Sequence, residues 1–270
     1  MTSNLIQTFQ LDVSNLRGRI LRLDSAIDDI LTRHGYPDPV LHLTGEATVL
    51  ALLLSSMLKY DGIFTLQTSG DGPVSMLVAD VADKGTVRAC ARFRPEEIPA
   101  DVPNPKTLMG TGYLAFTVDQ GPDTEQYQGI VALPGESLQE CVQHYFTQSE
   151  QITTGLRMAI SRGADGKWRA GAIMLQRLPE QAKDVGEGTQ DDWRRAMILL
   201  QSCTDEELID FTMSQNDLLF RLFHEEEVRV YDPEPIHEGC RCSPERAADI
   251  IAMLSPEERV EMTVDSVMQV

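Results

Sequence analysis

Residues 63–68 and 74–79 are apolar, strand-like runs on either side of Gly70-Asp71-Gly72-Pro73, and this pairing constrains the fold more than any other feature of the chain. Glycines in the connection permit positive φ, so the two runs are predicted to close into a hairpin. Runs 154–160 and 168–176 flank Gly163-Ala164-Asp165-Gly166 in the same way. Residues 87–93, 113–118 and 128–133 read as further strands. Helices are predicted over 24–33, 39–59 and 138–148, the last opened by a capping box of Ser137 and Glu140. Apolar residues on the strands and on 39–59 read as core. Hairpins with a few helices place the first part of the chain in the α+β class.

Charge divides the molecule. Residues 1–178 hold 20 acidic and 15 basic side chains, whereas 179–270 hold 22 and 8. The chain changes character near Pro179, where residues 178–189 combine proline, glycine and charge in the manner of a mobile linker. Domains are therefore expected at 1–178, 179–232 and 233–270. The middle one reads as all-helical. Trp193, Ala196, Met197 and Leu200 fall on one helical stripe, and Thr204 with Glu207 and Ser214 with Asp217 open two further short helices. Short helices in an acidic setting bury little area, so this segment should be among the less stable parts.

The overall charge of -19 argues against a nucleic acid or an anionic membrane as partner. No run reaches the ~20 apolar residues of a spanning helix. No basic and apolar leader opens the chain, and five cysteines are an odd number for a disulfide framework, so a reducing cytoplasm is expected. Cys90, Cys141 and Cys203 read as small buried hydrophobes.

The chemistry concentrates near the C-terminus. Cys240 and Cys242 stand one residue apart before a helix capped by Ser243 with Pro244 at its first position. The helix N-terminus and Arg241 both favour thiolate, and paired thiolates suit a soft cation such as zinc. A closed zinc site wants four ligands; two cysteines supply half, and His237 reads better as a polar loop residue than as a third. Enzyme templates fall short. His224-Glu225-Glu226-Glu227-Val228 lacks the second histidine of a zincin, and neither a Gly-x-Ser-x-Gly elbow nor a phosphate loop is present. A thiol-disulfide oxidoreductase acting through Cys240 and Cys242 stays open as the alternative to a binding protein.

Residues 223–232, Phe-His-Glu-Glu-Glu-Val-Arg-Val-Tyr-Asp, followed by Cys240-Arg241-Cys242-Ser243, resemble the entry to the switch region of the bacterial redox-regulated heat-shock chaperone, the thirty-three-kilodalton chaperonin family. Leu23-Asp24, Gly70-Asp71-Gly72-Pro73, Gly112-Tyr113-Leu114, Tyr127-Gln128-Gly129-Ile130-Val131 and 144–151 agree, in order along the chain. The resemblance implies a cytoplasmic, ATP-independent holdase, not an enzyme. In that family a Cys-x-Cys pair and a later Cys-x-x-Cys pair bind zinc when reduced. Oxidation to two disulfides releases the metal, the linker unfolds, dimers form and unfolding client proteins are held. On that reading 1–178 binds clients and dimerises, and 179–232 is the metastable linker. Residues 233–270 then hold an incomplete redox-switch segment with Cys240 and Cys242 as metal ligands and disulfide pair. The second pair is absent before Val270, so ordered zinc is not expected in these 270 residues, and a poorly anchored linker should give partial constitutive activity. Trp193, Met197, Leu200, Leu218, Leu219, Leu222 and Phe223 are the candidates for an apolar face packed on the first domain in the inactive state, or else for packing within the linker.

Overall fold

The computed structural model describes residues 3–82, 85–98, 108–120, 127–133, 137–177, 187–240, 243–255, 259, 263–264 and 267–268. Two compact units divide between Glu238 and Gly239. The helices expected as a separate linker thus belong to the same unit as the sheets. Most of the join that sets them apart in the sequence, 178–186, lies outside the described residues.

The first unit is α+β. Strands β1 (Leu5–Leu11), β2 (Leu16–Leu23), β8 (Thr154–Arg162) and β9 (Trp168–Arg177) form one sheet in the order β1-β2-β9-β8. Strands β3 (Ile63–Gly70), β4 (Val74–Ala82), β5 (Thr86–Phe93), β6 (Gly112–Asp119) and β7 (Tyr127–Leu133) form a second, ordered β5-β4-β3-β6-β7. Both expected hairpins form: β3 pairs antiparallel with β4, and β8 with β9. At the second turn Gly166 takes φ +79°, which a side chain would resist.

Between the sheets runs α2 (Asp38–Ser55), touching β3, β4 and β5 on one side and β2, β8 and β9 on the other. All of its residues except Asp38 and His42 are buried. A helix apolar around its whole circumference needs such a setting. Helices α1 (Ser25–Thr32) and α3 (Leu138–Tyr145) pack alongside it. The Ser137–Glu140 capping box opens α3 as expected, and a π-turn over Phe146–Glu150 ends at Gln151 in the left-handed region.

Three helices follow in the same unit: α4 (Glu187–Gln201), α5 (Asp205–Ile209) and α6 (Gln215–Phe223). Thr204 caps α5 with Glu207 in a reciprocal box, and the Ser214 hydroxyl accepts from the Asp217 amide at the start of α6. The chain then pairs with one edge of each sheet in turn. β10 (Val228–Val230) and β11 (Glu234–Pro235) join β1, and β12 (His237–Glu238) joins β5. The second unit contains α7 (Pro244–Met253) and the pair β13 (Thr263–Val264) and β14 (Val267–Met268). Arg259 donates to the carbonyls of Ala252 and Leu254, closing the end of α7. Among the described residues no helix is long and apolar enough to cross a membrane.

Candidate functional site

The first sheet is apolar on both faces. On β2, Leu21 and Leu23 join the main core around α2, whereas Leu16 and Ile20 point the other way. On β9, Ala170, Ala172 and Met174 face the core, and Ile173 and Leu175 face outward. Phe9 and Leu11 of β1 and Ala159 of β8 extend this outer face. Buried apolar side chains on both faces of a sheet require cover on both sides.

Helices α4 to α6 supply that cover. Leu200, Leu218, Leu219, Leu222 and Phe223 are buried in one cluster with the outer face, together with Ala196, Cys203 and Leu208, and Trp193 and Met197 pack against it half-buried. Burial of the Cys203 thiol pushes it up to about 11, so it stays protonated at neutral pH. Two glycines let the helices approach closely. A Cβ added at Gly155 would lie 2.2 Å from the Met197 Sδ, and one at Gly171 would lie 2.3 Å from the Leu208 carbonyl oxygen.

Arginines fix the polar groups at this seam. Arg22, buried on β2, donates to the carbonyls of Glu207 and Met213, while its Nε has no partner. The Phe211 ring lies 5.6 Å from the Arg22 guanidinium and 5.9 Å from that of Arg169. From β8, Arg157 donates to the Cys203 carbonyl at 3.1 Å and to Asp205. Arg195 of α4 pairs with Glu226, which is buried. Burial works to raise the Glu226 carboxyl, but the hydrogen bonds and charge of Arg195 prevail and hold it below its ordinary value.

From α6 the chain passes along both sheet edges. Tyr231 N–H donates to the Thr8 carbonyl and Ile236 N–H to that of Asn4; His237 N–H donates to Gly85. Ile236 is buried in the main core. The imidazole-bearing His237 is exposed on β12.

In the second unit Cys240 is exposed, three residues before Ser243, where the next described stretch opens into α7. Cys242, and Arg241 between the two thiols, lie outside the described residues. Among the described residues no group of three metal-binding side chains comes together. The remaining cysteines belong to the first unit: Cys141 is buried in the main core and Cys203 under the helices. Cys90 departs from expectation. It is exposed, because the alternation of β5 puts Val87 and Ala89 inward and leaves Cys90 on the outer face with Arg88 and Arg92. Two thiols are half the donor set of a closed zinc site, so these residues do not by themselves fit the metal.

A family model described as Hsp33 protein matches residues 4–270. The chain belongs to the Hsp33 family. It is 43% identical over 268 residues to the 33 kDa chaperonin of Caulobacter vibrioides, covering 96% of this chain and 88% of that one. Against the 33 kDa chaperonin of Escherichia coli the identity is 39% over 254 residues, with coverage of 94% and 81%. The crystal structure of the Thermotoga maritima Hsp33 homologue superposes with a TM-score of 0.77 at 22% identity, covering 96% of this chain and 88% of that one, and shows the same fold. Membership supports a chaperone function for this Hsp33 protein. The sequence alone did not reveal its β1–β2 hairpin, the two-sided sheet, the seating glycines or Arg22. The near-continuous apolar run 170–175 was the available sign that β9 is buried on both faces.

Proposed function

We propose that this Hsp33 protein is a redox-regulated, ATP-independent holdase of the cytoplasm, which binds unfolding proteins when its helical cover leaves the first sheet and which dimerises on activation. One observation carries the reading. The outer apolar face of that sheet is covered by three short helices, α4 to α6, whose chain leads through β10 to β12 to Cys240. Helices of this length are marginal without the packing they make here, so release of the cover is a small conformational step that uncovers a large apolar surface.

Cys240 and Cys242 are the proposed sensors. A thiolate of one attacks a peroxide oxygen, the O–O bond breaks, and water leaves after proton uptake, giving a sulfenic acid. The second thiol then displaces its hydroxyl as a second water, and the S–S bond forms. Two thiols are oxidised and one peroxide is reduced.

The test is aggregation of a thermally unfolding client enzyme with the reduced chain, the peroxide-treated chain, and a Cys240→Ser/Cys242→Ser double variant. The oxidised chain should suppress aggregation at near-stoichiometric amounts, and the double variant should ignore peroxide. Catalytic reduction of insulin disulfides at substoichiometric amounts, with no protection of the client, would establish the oxidoreductase instead.

A further inference from the structure

The two sheets offer four edges, and three of them are blunted. The edge of β1 is taken by β10 and β11. β5 is paired by β12 at Thr86 and Val87; beyond that it carries Arg88 and Arg92, and the Tyr36 hydroxyl donates to the Ala91 carbonyl at 3.2 Å. On β8 the amides of Gln139 and Gln143, from α3, donate to the carbonyls of Leu156 and Thr154 at 2.9 and 3.2 Å. These are the ordinary devices that keep a sheet edge from recruiting another chain: short covering strands, charge and side-chain caps.

Among the described residues β7 has none of them. Its seven residues, Tyr-Gln-Gly-Ile-Val-Ala-Leu, include neither charge nor proline. Among the described residues it pairs with β6 alone, and Tyr127 and Ile130 are 47% and 59% exposed. The Tyr127 hydroxyl is held at one end by Tyr145 and Glu150, which fixes that end of the strand.

We propose that the open edge of β7 binds an extended, uncharged segment of non-native polypeptide by strand addition. This inference rests on the chaperone reading above and names a surface for the client. A row of outward amides and carbonyls selects an extended backbone irrespective of its sequence, which suits a partner with no fixed structure. The uncharged strand favours apolar and neutral client side chains.

Hydrogen exchange on the oxidised full chain tests the assignment, with and without a thermally unfolded client enzyme. Amides within 127–133 should slow at least tenfold when client is present and be independent of chaperone concentration when it is absent. Ile130→Lys places a charge at an exposed position of the strand and should weaken client capture about tenfold with the far-UV spectrum unchanged. Suppression of aggregation by wild type, with no added protection over 127–133 and an unimpaired Ile130→Lys, would overturn the edge assignment and leave the chaperone reading standing. Concentration-dependent protection of these amides without client would overturn it in favour of a second copy. A wild-type chain that captures no client would defeat the chaperone reading itself, and this inference with it.

Discussion

Phe9 of β1 stacks on Phe223 of α6, ring centroids 6.1 Å apart, so the first strand of the protein and the last turn of its helical cover share one aromatic contact. Both rings are fully buried. Phe223→Ala should cost about 3–5 kcal/mol, as for other buried aromatics, and the loss falls on the docking of α6. Limited proteolysis is expected to cut within 187–223 much faster than in wild type, and the reduced variant should suppress aggregation without peroxide. An unchanged digestion pattern would show that the contact does not hold the cover down.

Gly171→Ala tests the seating of α5. The added methyl collides with the backbone at Leu208, which has no flexible end to move aside. Alanine costs the strand interior nothing, so the sheet should survive while α5 lifts. At Gly155 the obstacle is the Met197 thioether, a flexible tip, and Gly155→Ala should have the smaller effect. Amide exchange over 205–209 is expected to rise more in Gly171→Ala than in Gly155→Ala, with β9 still protected.

Glu46 makes stability depend on pH. It is buried in the middle of α2, its Oε2 has no partner, and burial pushes its carboxyl up to about 7. His42 lies 3.5 Å away, but burial lowers that imidazole, so the pair is disposed to be neutral near pH 7. The folded state therefore holds a proton that the unfolded state releases near 4.5. Stability falls as pH rises from about 4.5 to 7, by up to about 3 kcal/mol, and the full penalty stands above 7. Glu46→Gln should raise Tm at pH 8 and leave it nearly unchanged at pH 4.5. A gap in Tm of constant size across that range would refute the assignment.

The elements legible in the sequence were those with their own punctuation. Gly70 to Pro73 and Gly163 to Gly166 announced their hairpins, and Ser137 and Thr204 announced the starts of α3 and α5. The apolar stripe through Trp193 and Leu200 was visible as a period, and packing on the first domain was one of the two readings it allowed, although the sheet face that receives it was not legible. Leu16 to Leu23 stayed unread because arginines alternate with its apolar residues. Arg19 and Arg22 are buried there and reach backbone carbonyls of Ser56, Glu207 and Met213, which no local pattern discloses. The spacing of Cys240 and Cys242 singled them out, and the roles expected of them came from the family resemblance.

The crossing of residues 228–238 from one sheet edge to the other gives the molecule a mechanical fuse. β12 and β11 are two residues each and β10 is three, the shortest pairings among the described residues of the first unit, and they follow one another along the chain. Peeled back from Glu238, the chain would leave β5 first and then β1, seven paired residues in all, before α6 was reached.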